Sequence, residues 1–149
     1  MLWYQWYLNT ERGRAGFTEN RRGLCRLLWR LWSPNWRFDD TTFEATAASF
    51  DNPDFVDVTV QSYRHRYRNA PGDPTLEAIE TALESQPAIS VPTIVLHGAE
   101  DGVAPPRDSG KVAAHFTQLI EQSIIPVAGH FLARETPEPV IAAVRKLLT

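Results

Sequence analysis

The chain has 149 residues, of which 43% are hydrophobic and 22% charged, with a formal net charge of −3. That is long enough for one domain with a real core, too apolar for a disordered segment, and too weakly charged to point to a polyanionic partner. A single cysteine, Cys25, excludes an internal disulfide framework and a cysteine-based zinc site, and is compatible with a reducing, cytoplasmic setting.

The opening MLWYQWYLNTERG is apolar but interrupted by Gln5 and Asn9. It has no basic n-region and no small-residue cleavage site, so it does not read as a secretory signal. No run approaches the roughly 18 apolar residues of a membrane span. From Met1 to about Gln86 the chain is rich in Trp, Tyr and Arg and reads as mainly helical. Leu24, Leu27, Leu28, Leu31 and Trp32 recur at helical spacing, with Arg21, Arg22, Arg26 and Arg30 on other faces. Ser33-Pro34 should end that helix, because a residue before proline avoids helical backbone. Asp39-Asp40-Thr41 can cap a second helix through about Phe50. After the Asp51-Asn52-Pro53 turn, a third helix is expected over Asp54–Arg68, with Phe55, Val56, Thr59, Val60 and Tyr63 on one side. A loop over residues 69–74 precedes a short amphipathic helix, Thr75–Glu84.

The period then changes. Val91–Leu96 is a short apolar, β-branched run that reads as a buried parallel strand, followed by His97-Gly98-Ala99-Glu100-Asp101-Gly102 and a turn-rich segment. A helix is expected around Asp108–Glu121, with Asp108 as its cap, then a strand over Ser123–Val127 ending in Ala128-Gly129-His130. A last helix over Glu138–Leu148 starts near Pro137. This β-α-β-α order calls for a parallel pair with a right-handed crossover. Two parallel strands alone are not an independent sheet, so the chain reads as the tail of a larger fold. Asp101 and His130 each lie past the carboxyl end of a strand, where open α/β sheets place ligand sites. They look like two thirds of a nucleophile–His–acid triad.

VPTIVLHGAEDGVAPP followed by IIPVAGHFLARETPEPV resembles the last two strands and loops of α/β-hydrolases. LWYQWYLNTERG and FDNPDFVDVTVQSYRHR resemble the lid of the epoxide hydrolase and haloalkane or haloacetate dehalogenase branch. The resemblance implies an α/β fold with a helical lid over residues 1–88 and the last two parallel strands and helices of the core, an incomplete sheet, over 89–149. It implies Asp101 as the acid that orients a histidine and His130 as the general base. It implies that Tyr63, and Tyr4 beside Gln5, would reach the substrate oxygen as lid tyrosines. The expected substrate is a small, largely apolar molecule, and no metal or organic cofactor is needed.

The family's nucleophile turn, G-x-[SD]-x-G before a helix, does not occur in the sequence. Gly98-Ala99-Glu100-Asp101-Gly102 has its Asp one place too late, and His97-Gly98 cannot serve as the early oxyanion-hole turn. The chain is therefore expected to be inactive alone and to need the other half of the core, or to associate with itself. A non-catalytic or split-enzyme module, and an esterase or dehalogenase of the same fold, are the alternatives.

Plainer roles stand beside these. Asp101 could be a turn aspartate before Gly102, His130 a structural histidine, and Tyr63 and Tyr4 packing aromatics. His97 reads as structural, His65 and His115 as solvent-facing, and Cys25 as a small buried residue. The arginines between Arg12 and Arg37, interleaved with tryptophans, suit a solvated surface with internal ion pairs better than a nucleic-acid face.

Overall fold

The structure, a computed structural model, describes residues 2–106 and 109–148. By its contacts the chain forms two compact units. One comprises residues 1–29 and 37–76, the other 30–36 and 77–149. This grouping differs from a division at 88/89 by giving 30–36 and 77–88 to the second unit.

The first unit is helical. Helices α1 (Trp3–Asn9) and α2 (Glu11–Trp32) meet at Thr10, whose hydroxyl accepts the Gly13 N–H at 2.9 Å. A Cβ at Gly13 would stand 1.8 Å from the Tyr7 carbonyl oxygen, so only glycine permits this close turn. Helix α2 is kinked at Asn20 (φ −140°) and ends just before Ser33-Pro34 as expected. Trp29 and Leu28 are its buried residues beyond the kink, whereas Leu27 and Leu31 are over two-fifths exposed. The stripe of Leu24, Leu27, Leu28, Leu31 and Trp32 lies wholly beyond the kink, and only part of it is covered. Helix α3 (Asp40–Ala47) is capped by Asp39, whose carboxylate accepts the Thr42 N–H at 2.8 Å, and runs into a 3₁₀ turn, Ala48–Asp51. Helix α4 (Phe55–Arg66) turns Val56 and Val60 inward, where they join Leu8 and Phe17, with Cys25 and Tyr63 packed alongside. A chain of rings, Trp29–Phe43–Phe50–Phe55, extends this core at centroid separations of 5.2, 6.0 and 4.9 Å. Outside, Arg22 pairs with Glu44 and Asp51, Arg26 with Asp40, Arg14 with Asp57 and Arg64 with Glu11.

The second unit holds helix α5 (Glu77–Glu84) and a parallel pair, β1 (Thr93–Gly98) and β2 (Leu119–Ile125). Val95, Leu96, His97 and Gly98 face Gln122, Ser123, Ile124 and Ile125. β1 starts after Pro92, which has no N–H to give the ladder. The expected helix over residues 108–121 is wrong for most of its length. Helix α6 covers only Ser109–Ala113, Phe116 bridges to Ile89, and Leu119 already belongs to β2. The pairing explains this: β1 is satisfied only if its partner begins at Leu119, and that demand outweighs the weak helical pattern of residues 114–121. The strand expected over Ser123–Val127 accordingly lies earlier. The cap expected at Asp108 lies outside the described residues. Helices α7 (Leu132–Glu135) and α8 (Pro137–Leu147) close the chain, α8 starting on its proline.

Candidate active site

Because β1 and β2 are parallel, their carboxyl-end loops leave the same end of the pair. Backbone bonds join those loops directly: Ala99 N–H donates to Ile125 O at 3.0 Å and Glu100 N–H to Ala128 O at 2.9 Å. Gly98 makes the approach possible. A Cβ there would lie 2.3 Å from Gly129 O and 2.4 Å from Ala128 O.

Asp101 and His130 meet where the two loops converge. The His130 Nδ1 is 3.0 Å from Asp101 Oδ2 and 3.2 Å from Oδ1. Oδ1 also accepts the Val103 N–H at 2.7 Å and the Ala104 N–H at 2.9 Å. Burial by itself would raise the Asp101 carboxyl, but the Ala104 and Val103 donors and the imidazole outweigh it and hold the group below its ordinary value. An ionised acceptor at Nδ1 places the ring proton there and leaves Nε2 with its lone pair outward. The Asp101 side chain is 12% exposed and that of His130 36%, so the acid is sheltered and the imidazole reachable. Trp32 and Phe131 pack edge-on to the imidazole, at 5.3 and 5.6 Å. Beside them lies an apolar groove of about 530 Å³, lined by Ile94, Leu96, Val140, Val144 and Leu147 as well as His130.

Three residues that sequence reasoning passed over hold the histidine loop. The Trp32 carbonyl, at the end of α2, accepts N–H groups from both loops: Gly102 at 3.0 Å and His130 at 3.2 Å. Helix ends carry unpaired carbonyls, and this one is satisfied by the site itself. Fully buried Ser33 donates its hydroxyl to Glu135 Oε1 at 2.6 Å. Glu135 also accepts the Gly129 N–H at 2.9 Å and the Phe131 N–H at 3.0 Å. Upstream, Val127 has φ 63°, a left-handed conformation that costs a β-branched residue of order 1–3 kcal/mol. The only sequence hint was position, with a serine directly after a helix and a glutamate a few residues beyond His130.

The other expected site residues cluster in the first unit. Tyr4 and Gln5 are almost fully buried, 2% and 4% exposed. Gln5 Nε2 donates to the Tyr4 hydroxyl at 3.2 Å, and Gln5 Oε1 accepts from the Tyr67 hydroxyl at 2.5 Å. The Tyr4 and Tyr63 rings stand edge to face at 5.7 Å. Burial, helped by the neighbouring Tyr4 phenol, pushes Tyr63 up to about 12, so it stays a proton donor across the physiological range. Of the remaining candidates, His97 lies in β1, His65 is half-buried, and His115 is exposed in a turn after α6 rather than on a helix. Burial pushes the Cys25 thiol up to about 11, which keeps it protonated and poorly nucleophilic. Among the described residues, no group of three His, Cys, Asp or Glu could hold a metal ion, and no helix is long and apolar enough to cross a membrane.

No protein-family model and no curated protein matches the chain. Among solved structures it is similar to a crystal structure described as a "putative epoxide hydrolase" from Klebsiella pneumoniae subsp. pneumoniae MGH 78578. Identity is 37% and the TM-score 0.91, over 97% of this chain and 48% of that one. The chain thus spans about half the length of that protein, and over that half it resembles an epoxide-hydrolase-like α/β-hydrolase.

Proposed function

We propose that this chain is the lid and late-core portion of an epoxide-hydrolase-like α/β-hydrolase, and that it supplies the acid and the base of the active site. The observation that carries this reading is the Asp101–His130 contact, 3.0 Å from Nδ1 to the nearer carboxylate oxygen. In this mechanism Asp101 fixes the tautomer and stabilises the imidazolium, while His130 Nε2 takes a proton from water. That water cleaves an ester formed between substrate and a nucleophile from outside these 149 residues. The phenols of Tyr63 and Tyr4, the latter steadied by Gln5, donate to the substrate oxygen as it gains charge. The substrate is a small, largely apolar epoxide, halide or ester, and the acid–base chemistry asks for no metal or organic cofactor.

The chain assayed alone on an epoxide, a haloacid and an ester is expected to give no turnover above buffer. Joined to a segment bearing a G-x-D-x-G or G-x-S-x-G turn, it is expected to turn over, and His130→Ala should then lower the rate by about 10²–10⁴-fold. An aspartate in that turn favours epoxide or carbon–halogen cleavage, and a serine favours an esterase. Turnover by the lone chain that His130→Ala abolishes would refute the outside nucleophile. Joined activity indifferent to His130→Ala would leave the chain as a non-catalytic partner module.

A further inference from the structure

We propose that Glu135, together with Ser33, is a positioning residue that sets the His130 imidazole on Asp101. The proposal rests on the reading of Asp101 and His130 as acid and base. Three successive backbone N–H groups, those of Gly129, His130 and Phe131, are each held by a partner outside the loop. Glu135 takes the first and third, and the Trp32 carbonyl takes the second. The same Trp32 carbonyl also takes the Gly102 N–H, so the acid loop and the base loop hang from one atom. Ser33 is fully buried; its hydroxyl donates to Glu135 and accepts the Phe131 N–H at 3.2 Å, which closes the frame.

The chemistry of this frame requires a carboxylate. Three donors converge on the two Glu135 oxygens: the Ser33 hydroxyl, the Gly129 N–H and the Phe131 N–H. A carboxylate is acceptor-only, whereas an amide would turn its own N–H groups against one of them. The frame also accounts for Val127. A β-branched residue stays in left-handed backbone only where its surroundings over-determine the path, and both flanks of this turn are tied down. Without Glu135 the strained turn is free to relax, and the imidazole moves with it.

The test uses the full chain and proton NMR. In the parent protein the His130 Nδ1–H, bonded to Asp101, is expected as a downfield resonance. Glu135→Gln should shift or abolish that resonance and speed amide exchange at Gly129 and Phe131 by roughly five- to tenfold, the weight of one lost hydrogen bond. Amides of α4 should keep their exchange rates. Ser33→Ala should act in the same direction and less strongly, and it decides the question if Glu135→Gln does not fold. An unchanged Nδ1–H resonance in a folded variant overturns the proposal, because a purely structural glutamate would alter stability and leave the imidazole in place. Asp101→Asn separates the two claims: if it leaves the resonance intact, the acid–base reading itself fails.

Discussion

The two units bury very different things. The helical unit holds nearly every buried apolar side chain, among them Leu8, Phe17, Phe43, Phe50 and Val60, whereas Ala128 is the buried apolar residue of the second unit among those described. The second unit leaves Ile79, Leu83, Ile120, Ile124, Ile141 and Val144 about half exposed. Its order comes instead from hydrogen bonds around the two loops. Packing in the ring core is close but non-directional, whereas the Asp101–His130 hydrogen bond depends on both distance and angle. The unit with fewer buried apolar side chains is thus the one whose two loops are tied by directional bonds.

The largest effect should come from Phe43→Ala, which empties a site 1% exposed and is expected to cost roughly 3–5 kcal/mol. Ile124→Ala, at a residue 53% exposed, should stay within about 0.5 kcal/mol. Urea denaturation of both variants checks the contrast. Equal losses would mean that the second unit's apolar face is covered in solution, by another copy or another chain.

A middling effect is expected from Gly98→Ala. The added methyl meets two backbone carbonyls that have nowhere to move, so the loops must part, at about 1–3 kcal/mol. The loss should appear first as faster amide exchange at Ala99 and Glu100, whose N–H groups bridge to the second loop. Exchange there at the parent rate would show that the loops do not depend on this close approach.

The smallest effect concerns acid. The Asp101 carboxyl is held below its ordinary value of about 3.9, so its contribution to stability is complete above that pH and is lost as pH falls through the lower folded value. Denaturation midpoints for the parent and Asp101→Asn should therefore converge as the pH drops from about 5 to 3. Parallel curves across that window would show that the carboxylate is not favoured by folding.

Local pattern alone made much of this legible. The Asp39 cap, the proline stop after Trp32, the inward Val56 and Val60 and the proline start of α8 are each decided by neighbours a turn away in sequence. Asp101 and His130 stood out for the same reason, since each follows an apolar run at a strand exit, and the fold brings them to 3.0 Å of each other. What tertiary structure decided was everything that needs a distant partner. Helix α2 breaks at Asn20 with no proline or glycine at that position, and pairing with β1 turned Leu119–Glu121 from an expected helix into strand. Ser33 and Glu135 are 102 positions apart, and the Trp32 carbonyl bonds to residues in two later loops. A hydrogen bond across such a separation leaves no periodic trace in the residues between, because its energy depends on where the chain returns rather than on what precedes it.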